Sequence, residues 1–182
     1  MDARGFVKGL VVVLSLAVLA LAGTGCSTGS GLECGVFGSS LDSDDLGEGY
    51  GGGAKVEINP IDILSIDARA SWIHFDDTHV DMIPLEAAAL LNFPILFEHI
   101  VPYIGAGGGY YFFDADEADL DDEVGFFPLA GLEIGFHKVS ILAEARWLFL
   151  EADVDSAEEE LENITEADVD GLGINVGLLF RL

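Results

Sequence analysis

From residue 32 onward, apolar and polar side chains alternate with a period of two. Residues 51–59 set Ala54, Val56 and Ile58 against Lys55, Glu57 and Asn59. Residues 63–75 set Leu64, Ile66, Ala68, Ala70 and Trp72 against Ser65, Asp67, Arg69 and Ser71. Residues 139–150 set Val139, Ile141, Ala143, Ala145, Trp147 and Phe149 against Ser140, Leu142, Glu144, Arg146 and Leu148. Successive side chains of a strand point to opposite faces, so this pattern reads as strand rather than helix. Extended in the same way, it predicts eight strands, over 32–41, 51–59, 63–75, 82–93, 101–113, 124–136, 139–150 and 172–182. In 82–93 the run LEAAALL also has helix propensity. Its alternation of Ile83, Leu85, Ala87, Ala89 and Leu91 favours a strand. The stretch VPYIGAGGGYYFFDA over 101–115 holds four glycines among aromatics, which argues against a helix and suits the inner wall of a narrow barrel. It fits the central strand of a sandwich as well. Asn59-Pro60 and His137-Lys138 predict turns, Pro94–Ile100 a longer turn, and Pro128 a bulge, because proline withholds a ladder donor.

The connections add a second pattern. Four of them, 42–49, 76–81, 114–123 and 151–170, contain four, three, seven and ten acids and no Lys or Arg. They alternate along the chain with the short connections. In an up-and-down barrel alternate connections share a rim, so one rim is strongly acidic and the other is built of turns. Within 151–170, residues 156–162 read as a short helix capped by Ser156.

Composition narrows the class. The chain has 182 residues, formal net charge -26 and 51% hydrophobic residues. That apolar fraction is too high for an acidic disordered chain. A basic face for nucleic acid is absent, which removes that partner class. Residues 9–22 are apolar, Ser15 apart, after Arg4 and Lys8, which matches an export signal. Two exits compete: cleavage after Ala22, or a lipobox-like site that places a lipid on Cys26. The domains then read as signal 1–25, tether 26–31 and barrel 32–182.

The runs V-P-Y-I-G-A-G-G-G-Y-Y-F-F over 101–113 and G-I-N-V-G-L-L-F-R-L over 173–182 resemble the small outer-membrane β-barrel proteins of Gram-negative bacteria. That group includes the membrane domain of OmpA. The resemblance implies an eight-stranded antiparallel up-and-down transmembrane barrel, monomeric, in contact with outer-membrane lipid and handled by the barrel assembly machinery. The family's last strand typically ends in an aromatic residue. Here the end is Leu182, with Phe180 two before it on the same face.

On this reading the charges sort by face. Lys55, Glu57, Asp67, Arg69, Glu86, Glu133, Glu144, Arg146 and Arg181 point inward as a lumenal ion network, while the outward faces are nearly free of charge. Trp72, Trp147, Tyr110 and Phe112 point outward as interfacial aromatics. Asp114, Asp116, Asp119 and Asp121 offer oxygen ligands for Ca²⁺ or Mg²⁺, without the spacing of an EF-hand. His137, Ser140 and Glu144 are the only set suggestive of hydrolysis, and His137 falls on the other register. The expected function is non-enzymatic, structural or surface-interacting, with acidic loops outside the cell. A narrow cation-preferring porin and a membrane-embedded lipid-modifying enzyme are the alternatives.

Overall fold

In the computed structural model, residues 31–43, 46–76, 78–93, 95, 99–115, 123–153, 166–168 and 170–182 are described. The strands are β1 (Gly31–Ser43), β2 (Gly47–Ile61), β3 (Leu64–Phe75), β4 (Val80–Asn92) and β5 (Ile100–Ala115). They continue with β6 (Glu123–Phe136), β7 (Val139–Leu148), β8 (Glu151–Asp153), β9 (Glu166–Asp168) and β10 (Gly171–Arg181). Eight of them form a closed barrel in the order β1-β10-β7-β6-β5-β4-β3-β2, and β8 pairs with β9 in a separate two-stranded sheet. Every barrel pair is antiparallel. Closure comes from β1 and β10, where Glu33 pairs with Arg181 and Ser43 with Gly171. A closed barrel leaves no strand edge unpaired, which is what a β protein needs in an apolar solvent.

The alternation read from the chain is the alternation of burial. Along β7 the residues from Val139 to Leu148 switch strictly between the outer and inner wall. Segment 82–93 is strand and begins earlier, at Val80. Its inward Met82, Glu86, Ala88 and Leu90 are buried, and its outward Leu85 and Leu91 are exposed.

Several boundaries differ from the sequence reading. The acidic connection 42–49 is mostly strand: Asp42 pairs with Glu48 and Ser43 with Gly47, and Gly47 takes a positive φ of 77 where β2 begins. Asn59-Pro60 makes no turn. The strand runs on to Ile61 through a register shift between Ile58 and Ile61, and the turn falls at Asp62-Ile63. Proline cannot donate to the ladder, and a bulge absorbs that loss without ending the strand. Pro128 makes no bulge. Its neighbours keep one register on both sides, Leu129 with Arg146 and Phe126 with Phe149, while its own position lies outside the pairing with β7. The long connection 151–170 starts and ends as the β8–β9 hairpin. The helix expected over 156–162 lies outside the described residues. His137-Lys138 is a turn, with His137 at φ 60.

Candidate functional site

Among the described residues the lumen concentrates buried polar and charged side chains, and it is layered. At the rim of the short turns lies a cavity of about 760 Å³, lined by Glu33, Glu57, Glu133, Asn59, His99 and Arg181 among others. Arg181 Nε donates to Glu33 Oε1 at 2.9 Å across the closing seam. Asn92 Nδ2 donates to Ser65 Oγ at 2.6 Å, and Ser65 Oγ donates in turn to Asn59 Oδ1, so β4, β3 and the bulged end of β2 are tied at this rim.

The middle layer is ionic. Lys55 Nζ sits 3.0 Å from Glu57 and 2.9 Å from Asp67. Arg69 Nη2 lies 2.5 Å from Asp67 Oδ2, and its Nη1 donates to Glu144 Oε1. Glu144 also accepts from Tyr103 OH at 3.2 Å and from Asn175 Nδ2 at 3.0 Å. A second cluster stands nearer the acidic rim. Arg146 Nη1 lies 2.5 Å from Glu86, and Tyr111 OH donates to Glu86 at 2.7 Å. Between them Phe127 presents its ring to both guanidinium groups, with Arg69 Cζ at 5.8 Å and Arg146 Cζ at 5.4 Å from the centroid. Arg69, Glu86, Glu144 and Arg146 are all at most 5% exposed. Charges so deeply buried are tolerable only when paired and hydrogen-bonded.

The third layer, toward the acidic rim, is apolar: Leu41, Ile73, Phe75, Met82, Leu148 and Leu150 belong to one buried cluster. Glycines make the room these layers need. A Cβ on Gly107 would stand 2.6 Å from Phe127 Cζ, and one on Gly131 would overlap the Tyr103 ring.

Outside, the wall is greasy. Val56, Ile58, Ile66, Leu85, Leu91, Ile104, Val124, Phe126, Ile141, Ile174, Val176 and Leu178 are exposed, each by more than a third. A water-soluble surface does not carry a continuous band of this kind. A membrane strand requires it. Of the interfacial aromatics, Trp147 is 45% exposed. Trp72 is partly buried and stacks on His74 with centroids 6.1 Å apart, and its backbone pairs opposite Gly52. Tyr110 and Phe112 meet edge to face at 4.9 Å.

Comparison with known structures follows the same line. Neisserial surface protein A (NspA) shares 16% identity over 85% of this chain and 98% of its own, with a TM-score of 0.65. The N-terminal β-barrel domain of Pseudomonas aeruginosa OprF shares 16% over 84% and 99%, at 0.53. Ail, the attachment invasion locus protein of Yersinia pestis, shares 18% over 84% and 97%, at 0.51. This chain has the fold of the small outer-membrane β-barrel proteins. No protein-family model and no curated protein matches it.

Within that outer-membrane barrel fold, the residues expected at a site are dispersed by layer. Lys55, Glu57, Asp67, Arg69 and Glu144 meet in one cluster, Glu86 and Arg146 in another, and Glu133 and Arg181 line the turn-side cavity. Ser140 is buried in the wall, whereas His137 is exposed in its turn. Asp114 pairs with Asp81 at the end of β5. Asp116, Asp119, Asp121 and Cys26 lie outside the described residues. Among the described residues no group of three or more His, Cys, Asp and Glu is placed to hold a metal ion. Tyr103, Tyr111, Asn175 and Phe127 join the network in addition to the residues expected there. Their inward parity was legible, but their partners sit on strands far away in sequence. Phe126 and Phe149 stack with centroids 4.9 Å apart, a pairing of positions twenty-three residues apart that only the β6–β7 register decides.

Proposed function

We propose that the protein is a non-enzymatic outer-membrane barrel with a lumen closed by its own side chains and an acidic rim facing outward. Its role is structural or surface-interacting. The observation that carries this reading is the inside-out distribution: exposed aliphatic and aromatic side chains around a closed barrel, with paired charges at its centre. Eight strands enclose a space that side chains can fill, and here ionic and apolar layers occupy it in turn. The turn-side rim, where both ends of the barrel meet, faces the periplasm. The opposite rim then faces outward, and the acid-rich sequence over 114–123 makes Ca²⁺ or Mg²⁺, and surfaces bridged by them, its proposed ligands. Two of the similar structures are described by their names as a surface protein and an attachment protein, and an exposed role of that class suits this rim.

The turn-side cavity with Glu33, Glu57 and Glu133 favours a second reading, a narrow cation-preferring pore. Purified protein in planar bilayers separates the two. Silence supports the closed barrel. Reproducible cation-selective steps that shrink in Glu133→Gln would replace it with the porin. Fractionation with outer membranes, resistant to high salt, is expected in either case, and recovery in the soluble periplasmic fraction would overturn both.

A further inference from the structure

Arg146 is 2% exposed, and its Nη1 is engaged by Glu86. Among the described residues its Nε and Nη2 are buried with no hydrogen-bond partner. Leaving one edge of a guanidinium unsatisfied in a buried site is costly. The group that faces this guanidinium is the Phe127 ring, 5.4 Å away, and the same ring lies 5.8 Å from Arg69. A ring face is electron-rich and attracts a cation, more strongly when both are desolvated. Position 127 is also built for an aromatic. Gly107 and Ala88 stand beside it on β5 and β4, and no larger residue fits at 107 without meeting the ring.

We infer that Phe127 is the missing partner of the Arg146 edge and the link between the two lumenal ion clusters. Its ring takes the place of an acceptor and lets two arginines share the lumen of a narrow barrel. Leucine would fill much of the volume but offer no π face. The inference rests on the closed-lumen reading and makes Phe127 a positioning residue within it.

The test compares the wild-type protein with Phe127→Leu and Phe127→Tyr, each isotope-labelled and folded in detergent micelles. Arginine Nε–H resonances are followed by NMR, with Arg181 at the exposed rim as internal control. In the wild type, the Arg69 and Arg146 side-chain signals are expected to be displaced by the ring current. In Phe127→Leu that displacement disappears, and the Arg146 Nε–H exchanges with solvent faster by about tenfold, on the order expected for a lost desolvated cation–π contact. Phe127→Tyr restores both. Ordinary Arg146 shifts in the wild type, or equal exchange in Phe127→Leu, would overturn the inference even if Phe127→Leu folds poorly, since the wild-type spectrum stands alone. Bilayer recordings on the same wild-type sample keep the two claims apart. Channel steps would sink the closed lumen, whereas a silent wild type with undisplaced arginine signals sinks only the role of Phe127.

Discussion

Arg146 on β7 reaches across the lumen to Glu86 on β4, its Nη1 lying 2.5 Å from both carboxylate oxygens. These strands are not neighbours in the barrel, so the contact spans its interior. Tyr111 from β5 donates to the same carboxylate at 2.7 Å. A pair set so deep is asymmetric in its energetics: forming it gains little over an apolar substitute, whereas losing one member strands the other.

That asymmetry gives the first prediction. Arg146→Met alone should lower stability by about 3–5 kcal/mol, because Glu86 is left charged without its cation. Arg146→Met combined with Glu86→Leu should recover most of the loss. Urea unfolding in detergent micelles reads both midpoints. Equal loss in the single and double variants would mean that packing rather than charge holds these strands.

A second prediction concerns space. Gly131 on β6 leaves room for the Tyr103 ring, the ring that carries a hydroxyl to Glu144 at 3.2 Å. Gly131→Val should cost about 1–3 kcal/mol by overpacking. Tyr103→Leu in the same chain should return part of it. An unaffected Gly131→Val barrel would show that the ring has another place to go.

Lipid contact can be tested by charge on the outer wall. Ala145 alternates with the buried Glu144 and Arg146 and faces out. Ala145→Arg should destabilise the barrel in a bilayer by about 2–4 kcal/mol if this position is near the midplane. The same substitution on a water-facing wall would be close to neutral. Folding yield into vesicles, followed by heat-dependent gel mobility, distinguishes these outcomes.

Orientation is the remaining prediction. One cysteine at Ala157 and another at His137, in a background lacking Cys34, are probed on intact cells with an impermeant thiol dye. Labelling at 157 alone is expected. Labelling at 137 alone would invert the topology, and equal labelling of both would argue against a membrane-spanning barrel.

Period-two alternation determines which side of the wall each residue takes, because a strand has only two faces and a one-residue slip exchanges them. Hence the eight barrel strands and the alternation of their faces were legible in the chain, whereas the small β8–β9 sheet was not. Charge along the connections likewise sorted the two rims. Partners were not legible. Arg69 meets Glu144 seventy-five residues away and Arg146 meets Glu86 sixty residues away, and those meetings depend on barrel shear and closure, which no local pattern encodes. Strand ends were also decided in three dimensions. Asp42 and Glu48 are acidic enough to read as loop, yet the β1–β2 ladder carries them, since backbone pairing continues wherever a side chain can turn outward. Phe127 shows the same division: its inward side follows from its parity, and its place over two guanidinium groups follows only from the folded barrel.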